Sequence, residues 1–282
     1  MTATAASPVD FVSLSNLTLK ARIARTISEE IVAGFYVWPV WVIMGWDDIR
    51  QRYRRSVIGP FWITLSMGVF ILLLGVIYSR LFHQELHYYL PYLTVGYITW
   101  GFMSANITES CYAFLESGRI IKQIKLPFLV YVMRVIWRNF IVFLHTAVIY
   151  VPLAIIFKLP LSLTMLYAIP GLLLVCLNQV WLVTLLAIIT TRFRDLQPII
   201  VTAVQIMMFV TPIMWMGTQS ADTAVIAQIN PVSHLISLVR EPMLGIAPEG
   251  ISWIVALGML VVGSAAATAL LVSKSRRIVF WI

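Results

Sequence analysis

The sequence predicts an all-α membrane protein with six transmembrane helices, an N-terminal interfacial amphipathic helix, and short extracytoplasmic re-entrant helices between spans five and six. Three observations predict it. First, 60% of the residues are hydrophobic and only 11% are charged, against about 45–50% and about 25% in soluble domains. So few charges do not cover a water-exposed surface, so lipid surrounds most of the chain. Second, six stretches of about 20 mostly apolar residues recur along it. Third, the basic residues are segregated between the connections.

The spans read from the sequence are Phe61–Leu81, Tyr89–Tyr112, Asn139–Phe157, Met165–Thr191, Ile199–Met216 and Ile251–Val272. With both termini placed in the cytoplasm, 17 of the 20 Lys and Arg fall on the cytoplasmic side, and only Arg80, Lys158 and Arg240 fall outside. That is the positive-inside pattern. It accounts for the net charge of +8 through topology and attraction to anionic headgroups, without a nucleic-acid partner.

Ile31–Trp46 is uncharged and rich in Trp, but Gly34, Pro39 and Gly45 interrupt it. At about 24 Å as a helix, it falls short of the roughly 30 Å hydrocarbon core and reads as a helix lying in the cytoplasmic interface. The alternative is a seventh span. Gly217–Gly250 is too long and too apolar for an ordinary loop. Asn230 and Pro231 form a helix start, and Val232, Leu235, Ile236 and Val239 follow on one face. Short helices dipping into the outer leaflet fit this segment, as does a folded cap without a transport role. Residues before the first apolar run do not resemble a signal peptide. No internal repeat divides the chain, so residues 1–282 read as one domain. It comprises a cytoplasmic N-terminal region (1–60), a six-span bundle (61–272) and a cytoplasmic tail (273–282).

Chemistry-bearing motifs are sparse. No lysine follows a glycine, so the sequence holds no Walker A phosphate loop. Cys111 and Cys176 lie in apolar runs and read as small buried hydrophobes. No metal site is expected: Asp47 and Asp48 sit among arginines as surface charge balance, His145 stands alone, and His83 and His87 flank Glu85 at an aromatic membrane edge. Glu109 is the one acid within a span. Intramembrane acids seek a partner, and Arg134 and Arg138, one helical turn apart, are placed to form an ion pair with it. Tyr97 and Trp100 lie deep in the second span, where aromatic rings either line a glycan conduit or simply pack.

The string Arg52-Tyr53-Arg54-Arg55-Ser56-Val57-Ile58-Gly59-Pro60-Phe61-Trp62 resembles the approach to the first span of ABC-2-type polysaccharide export permeases. That family includes O-antigen, capsule and teichoic-acid exporters. Phe193-Arg194-Asp195-Leu196, between spans four and five, is similar to a second family motif. Asn230-Pro231-Val232-Ser233-His234-Leu235-Ile236, ahead of Arg240, resembles the segment between spans five and six.

The resemblance implies a homodimer joined to two copies of an ABC ATPase subunit in the bacterial inner membrane. ATP and Mg would be held by that partner, with no cofactor in this chain. It implies a coupling helix within Leu115–Leu126, with Glu116, Arg119, Ile120, Lys122 and Gln123 as contacts. It also implies gating helices across Ala224–Leu244, with Asn230, Pro231, His234 and Arg240 at the outer gate. Arg52, Arg54 and Arg55 are placed either for the diphosphate of a lipid-linked glycan or for ordinary lipid headgroups. O antigen is the first expected cargo, capsule or teichoic acid the second. A membrane glycosyl- or acyltransferase would need a cluster of acids or histidines at one face. An ion-coupled carrier would need several intramembrane charges. Neither pattern is present.

Overall fold

Where lipid surrounds a chain, long apolar runs satisfy their backbone N–H and C=O groups internally only as helix. The computed structural model describes residues 19–54, 59, 61–159, 162–217 and 220–282, and among them every regular element is helical.

Helix α1 covers residues 19–36, as Leu19–Thr26, a π-helical turn Ile27–Val32 and Ala33–Tyr36. A non-helical Val37 (φ −86°, ψ 34°) and Pro39 at the start of α2 (Trp38–Tyr53) bend the pair by 59°. The sequence reading took Gly34 and Gly45 as interruptions. Gly45 is instead a contact point: a Cβ there would lie 2.9 Å from Trp137 and 3.1 Å from the Arg134 carbonyl oxygen.

The bundle follows. It comprises α3 (Phe61–Leu81), α4 (Leu86–Ser110), the short α5 (Ala113–Glu116) and α6 (Gly118–Gln123), then α7 (Phe128–Ala147) continued by α8 (Tyr150–Ile156). A 3₁₀ turn (Leu163–Tyr167) leads into α9 (Ala168–Arg192). Next come α10 (Leu196–Val210), α11 (Ala221–Ile229), α12 (Pro231–Met243) and α13 (Gly250–Trp281).

Among the described residues, four stretches are long and apolar enough to cross a membrane: Phe61–Leu81, Phe128–Ile156, Leu163–Arg192 and Gly250–Trp281. The other two expected spans correspond to α4 and α10. At 25 residues, α4 is about 38 Å long. It carries polar Thr94, Thr99, Asn106 and Ser110 on buried positions, because it is the hub against which α3, α7, α9, α10 and α12 pack. With 15 residues, α10 is only about 22 Å long.

Two boundaries differ from the sequence reading. The third expected span was to begin at Asn139, yet α7 starts at Phe128, so Arg134 and Arg138 are helical. The 29-residue stretch it heads is about 43 Å long and overruns a roughly 30 Å core, which leaves its first turns for charged neighbours. Residues 273–282, expected as a tail, are the last turns of α13. That end is held by Arg192, whose guanidinium lies 5.4 Å from the Trp281 ring centre, and by Arg194 Nη2, which donates to the Trp281 carbonyl at 3.5 Å.

Polar side chains tie the helices together, since an unpaired polar group in hydrocarbon is costly. Asn139 Nδ2 donates to Asn106 Oδ1 at 3.0 Å. Asn178 Nδ2 donates to the Ala256 carbonyl at 3.1 Å. Between α9 and α12 the approach is closest: a Cβ on Gly171 would lie 2.2 Å from the Leu238 carbonyl oxygen.

Candidate functional site

Two regions collect the functional residues, one at each end of the bundle. At the first, α5 and α6 fold back between α4 and α7. Ser117, with φ −86° and ψ 3°, separates them, and extended Ile124 ends α6 ahead of Pro127. One face is buried. Phe114 is fully enclosed and stacks edge-on with Phe128, 5.4 Å between ring centres. A Cβ on Gly118 would lie 2.5 Å from Ile282 Cγ2, so the C-terminal residue sits under the start of α6. The opposite face leaves Glu116, Arg119, Lys122 and Gln123 exposed, with Ile120 half-buried between them. An anchored apolar face beneath an exposed polar one is the form of a docking segment.

Beneath α5 and α6 lies a charge node. Arg134 grips Asp48 in fork geometry, Nε to Oδ2 at 2.7 Å and Nη2 to Oδ1 at 2.5 Å. Its Nη1 donates to Ser117 Oγ at 3.2 Å. Arg138 donates to Asp48 Oδ2 at 3.0 Å and to Glu109 Oε2 at 2.7 Å. Arg52 Nη2 reaches Glu109 Oε1 at 3.3 Å. Bidentate, charge-assisted pairs of this kind fix orientation as well as energy. Of the ion pair expected for Glu109, Arg138 makes the contact, while Arg134 goes to Asp48. Asp48 was read as surface charge balance, yet it joins two arginines with 14% of its side chain exposed. One signal was present: Gly45, Asp48 and Arg52 lie at i, i+3 and i+7, on one helical face. Asp47 makes the exposed pair with Arg50 instead, at 3.9 Å.

Of the three arginines assigned to a lipid diphosphate, Arg52 already has a carboxylate partner, Arg54 is exposed, and Arg55 lies outside the described residues. Next to this region, Glu30 Oε2 accepts from the Phe128 N–H at 2.7 Å, so α1 caps the start of α7. Burial raises that carboxyl group to about 7 against its ordinary 4.5, with the backbone bond to Phe128 opposing and neighbouring Glu29 adding to the rise.

The second region is built by α11, α12 and the non-helical residues after α10. Asn230 caps α12, its Oδ1 accepting from Val232 N–H at 2.9 Å, while its Nδ2 donates to Thr211 Oγ1 at 2.9 Å. Pro231 takes the first helical position. His234 bonds Ser252 Oγ at 3.0 Å and the Gln228 carbonyl at 2.9 Å. Arg240 Nη1 donates to the Pro212 carbonyl at 2.6 Å, and the guanidinium lies 4.0 Å from the centre of the Tyr92 ring. Tyr92 donates to the carbonyls of Pro212 and Trp215, and Tyr89 to that of Met214. Irregular backbone at 211–215 is thus satisfied by protein, as depth in a membrane requires. Of the four residues expected at the outer gate, His234 and Arg240 line the cavity described next, while Asn230 and Pro231 form the start of α12 outside its lining. This region encloses a cavity of about 1000 Å³ bounded by the α3–α4 connection, Lys158, and the 212–252 segment.

Tyr97 and Trp100 lie elsewhere. Tyr97 packs on Phe70, 5.3 Å between ring centres. Trp100 is buried at 4% exposure and borders a smaller, mainly apolar cavity of about 280 Å³ shared with Gln179. No group of three or more His, Cys, Asp or Glu able to hold a metal occurs among the described residues.

A family model described as ABC-2 type transporter matches residues 39–244, from early α2 to the end of α12. The match therefore includes the charge node, the α5–α6 segment and the outer region. Two curated proteins of Klebsiella pneumoniae, each named O-antigen export system permease protein RfbA, are 23% identical over 211 residues. The alignment covers 73% of this chain and 80% of each relative.

Proposed function

This chain belongs to the ABC-2 type transporter family, and on that premise we propose that it is the permease subunit of an ATP-driven exporter of lipid-linked polysaccharide in the bacterial inner membrane. It is a multi-pass membrane protein, and the family is one of transport subunits rather than enzymes. The names of the Klebsiella relatives favour O antigen as cargo; capsule or teichoic acid is the second choice. The chain crosses six times with both termini in the cytoplasm, α4 and α10 completing the six, and residues 1–282 act as one domain. Two copies pair and dock on two ATPase subunits, which hold ATP and Mg.

The observation that carries this reading is the exposed polar face of α5–α6 seated on the charge node. Closure of an ATPase dimer pushes on Glu116, Arg119, Lys122 and Gln123. Ser117, bonded to Arg134, passes the displacement to Asp48, Glu109 and Arg138, and so to α2, α4 and α7 together. As the hub, α4 reaches α12 at the opposite end. Rigid helices linked by paired charges are a physical route for such motion. Arg54, with Arg55, meets lipid phosphate at the cytoplasmic edge, and the glycan passes between the two copies; Trp100, buried at 4% exposure, packs inside the bundle and does not line that path.

Replacing Arg119 and Lys122 by Glu tests this reading, because both side chains are exposed and the fold tolerates the change. Co-purification of the cognate ATPase should fall at least tenfold, and surface polysaccharide should fall with it. Unchanged ATPase capture, or export that continues without ATP hydrolysis, rejects the proposal.

A further inference from the structure

We propose that the outer cavity is a binding site for a neutral hexopyranose segment, built within a single copy of the chain. This deepens the exporter reading and rests on it for the source of the sugar, but the binding itself does not.

Size comes first. At about 1000 Å³, the cavity stands at the upper end of small-molecule pockets and far exceeds what an ion needs. Its chemistry is mixed in sign. Glu85, Glu241, Glu249, Lys158 and Arg240 all line it, so fixed charges nearly cancel and an anionic ligand meets three carboxylates. A sugar hydroxyl both donates and accepts, which suits a wall of carboxylates, a guanidinium and an ammonium. Glu241 is half-buried in this wall and offers part of its carboxylate as an acceptor.

The rings are arranged for the same ligand. Arg240 covers one face of Tyr92 at 4.0 Å and fixes it as floor. Tyr88 stands at the rim, 65% exposed and braced edge-on by His87, 4.4 Å between ring centres. It presents an open apolar face, and a pyranose ring has an apolar C–H face to lay against it.

One further observation singles out the place. Lys158 and Arg240 are two of the three basic residues that the positive-inside pattern leaves outside. Basic residues are scarce on that side, and these two converge on one space from segments 82 residues apart.

The test uses the full chain in lipid nanodiscs and saturation-transfer NMR. The probes are the methyl glycosides of glucose, galactose, mannose, N-acetylglucosamine and rhamnose, with inorganic phosphate and glycerol 3-phosphate beside them. At least one glycoside should receive saturation, and Tyr88→Ala and Glu85→Gln, both on exposed rim residues, should each weaken that binding at least fivefold. Absence of transfer to every glycoside, transfer to the phosphates instead, or variants that bind like the wild type would overturn the site. In parallel, cells lacking the chain are complemented with wild type and with Tyr88→Ala. If wild type restores surface glycan but no glycoside binds, the site falls and the exporter stands. If glycosides bind at the rim but wild type restores no glycan, the exporter reading falls and the site stands.

Discussion

The two ends of the bundle hold most of the charged side chains that leave the lipid-facing surface, and they use them in opposite ways. At the α5–α6 end, Asp48 and Glu109, the two carboxylates of the node, each have two arginines within 3.3 Å. The charges are spent on one another, so the node is a joint. At the outer end, Arg240, Lys158 and three glutamates stand around a space of about 1000 Å³, and Arg240 turns to a backbone carbonyl and a tyrosine ring rather than to a carboxylate. Paired charges lock helices together. Charges that share a cavity without forming ion pairs with one another are left to meet something else. In a chain with so few charged residues, this contrast is what the proposed roles require of a part that transmits force and a part that meets cargo.

Breaking the joint should have the largest effect. Asp48→Ala leaves Arg134 and Arg138 partly buried without their shared carboxylate. Removing one partner of a buried pair costs about 3–5 kcal/mol, and 14% exposure of Asp48 places it near the lower figure. Thermal unfolding in detergent should show the loss, and Asp48→Asn, which keeps the hydrogen-bond acceptor, should recover part of it. A Tm within one degree of wild type for Asp48→Ala would make the node a surface ornament and remove the contrast between the two ends.

The second effect comes from the outer half. Gly171→Ala sets a methyl group against the Leu238 carbonyl oxygen, which cannot move without shifting α12. Overpacking of this kind costs about 1–3 kcal/mol. Because α12 carries Ser233, His234, Ser237 and Arg240 into the cavity wall, the same substitution should also weaken glycoside binding. Gly258→Ala, where an added Cβ meets nothing within 4 Å, is the control and should leave both readouts unchanged. Equal behaviour of the two variants would mean that α9 and α12 are not packed as tightly as the geometry requires.

How much of this was legible beforehand differs between the ends for a physical reason. Lipid imposes a strong one-dimensional signal, so α3 begins and ends at the expected residues. The exposed face of α5–α6 was legible because charge, length and the following proline are local features. The node was only half legible. Glu109 advertised its need for a partner, but Asp48 meets Arg134 across 86 positions, and nothing nearby marks it apart from Asp47. The start of α7 was half legible: Arg134 and Arg138 read as one helical turn apart, ahead of an apolar span taken from Asn139, but the carboxylates that let the helix begin at Phe128 come from α2 and α4. The outer cavity was not legible at all. Its walls come from four separated segments, and Tyr88 and Tyr92 read from sequence as part of an interfacial aromatic belt.

The last effect, confined to a pH window, tests whether the joint extends into α1, where Glu30 caps α7. Burial holds its folded pKa near 7, above the ordinary 4.5. A carboxyl group raised in the folded state contributes stability that is complete below about pH 4.5 and is lost as pH rises through about 7. The wild type should therefore lose stability between pH 5 and pH 8 relative to Glu30→Gln, whose amide oxygen still accepts from the Phe128 N–H without titrating. Tm measured for both proteins at pH 5, 6, 7 and 8 gives the difference directly, and other titrating groups cancel in the comparison. Parallel curves for the two proteins would mean that the Glu30 carboxylate is as well solvated as an ordinary one. In that case α1 does not bury Glu30 against the start of α7, and the joint stops at Asp48.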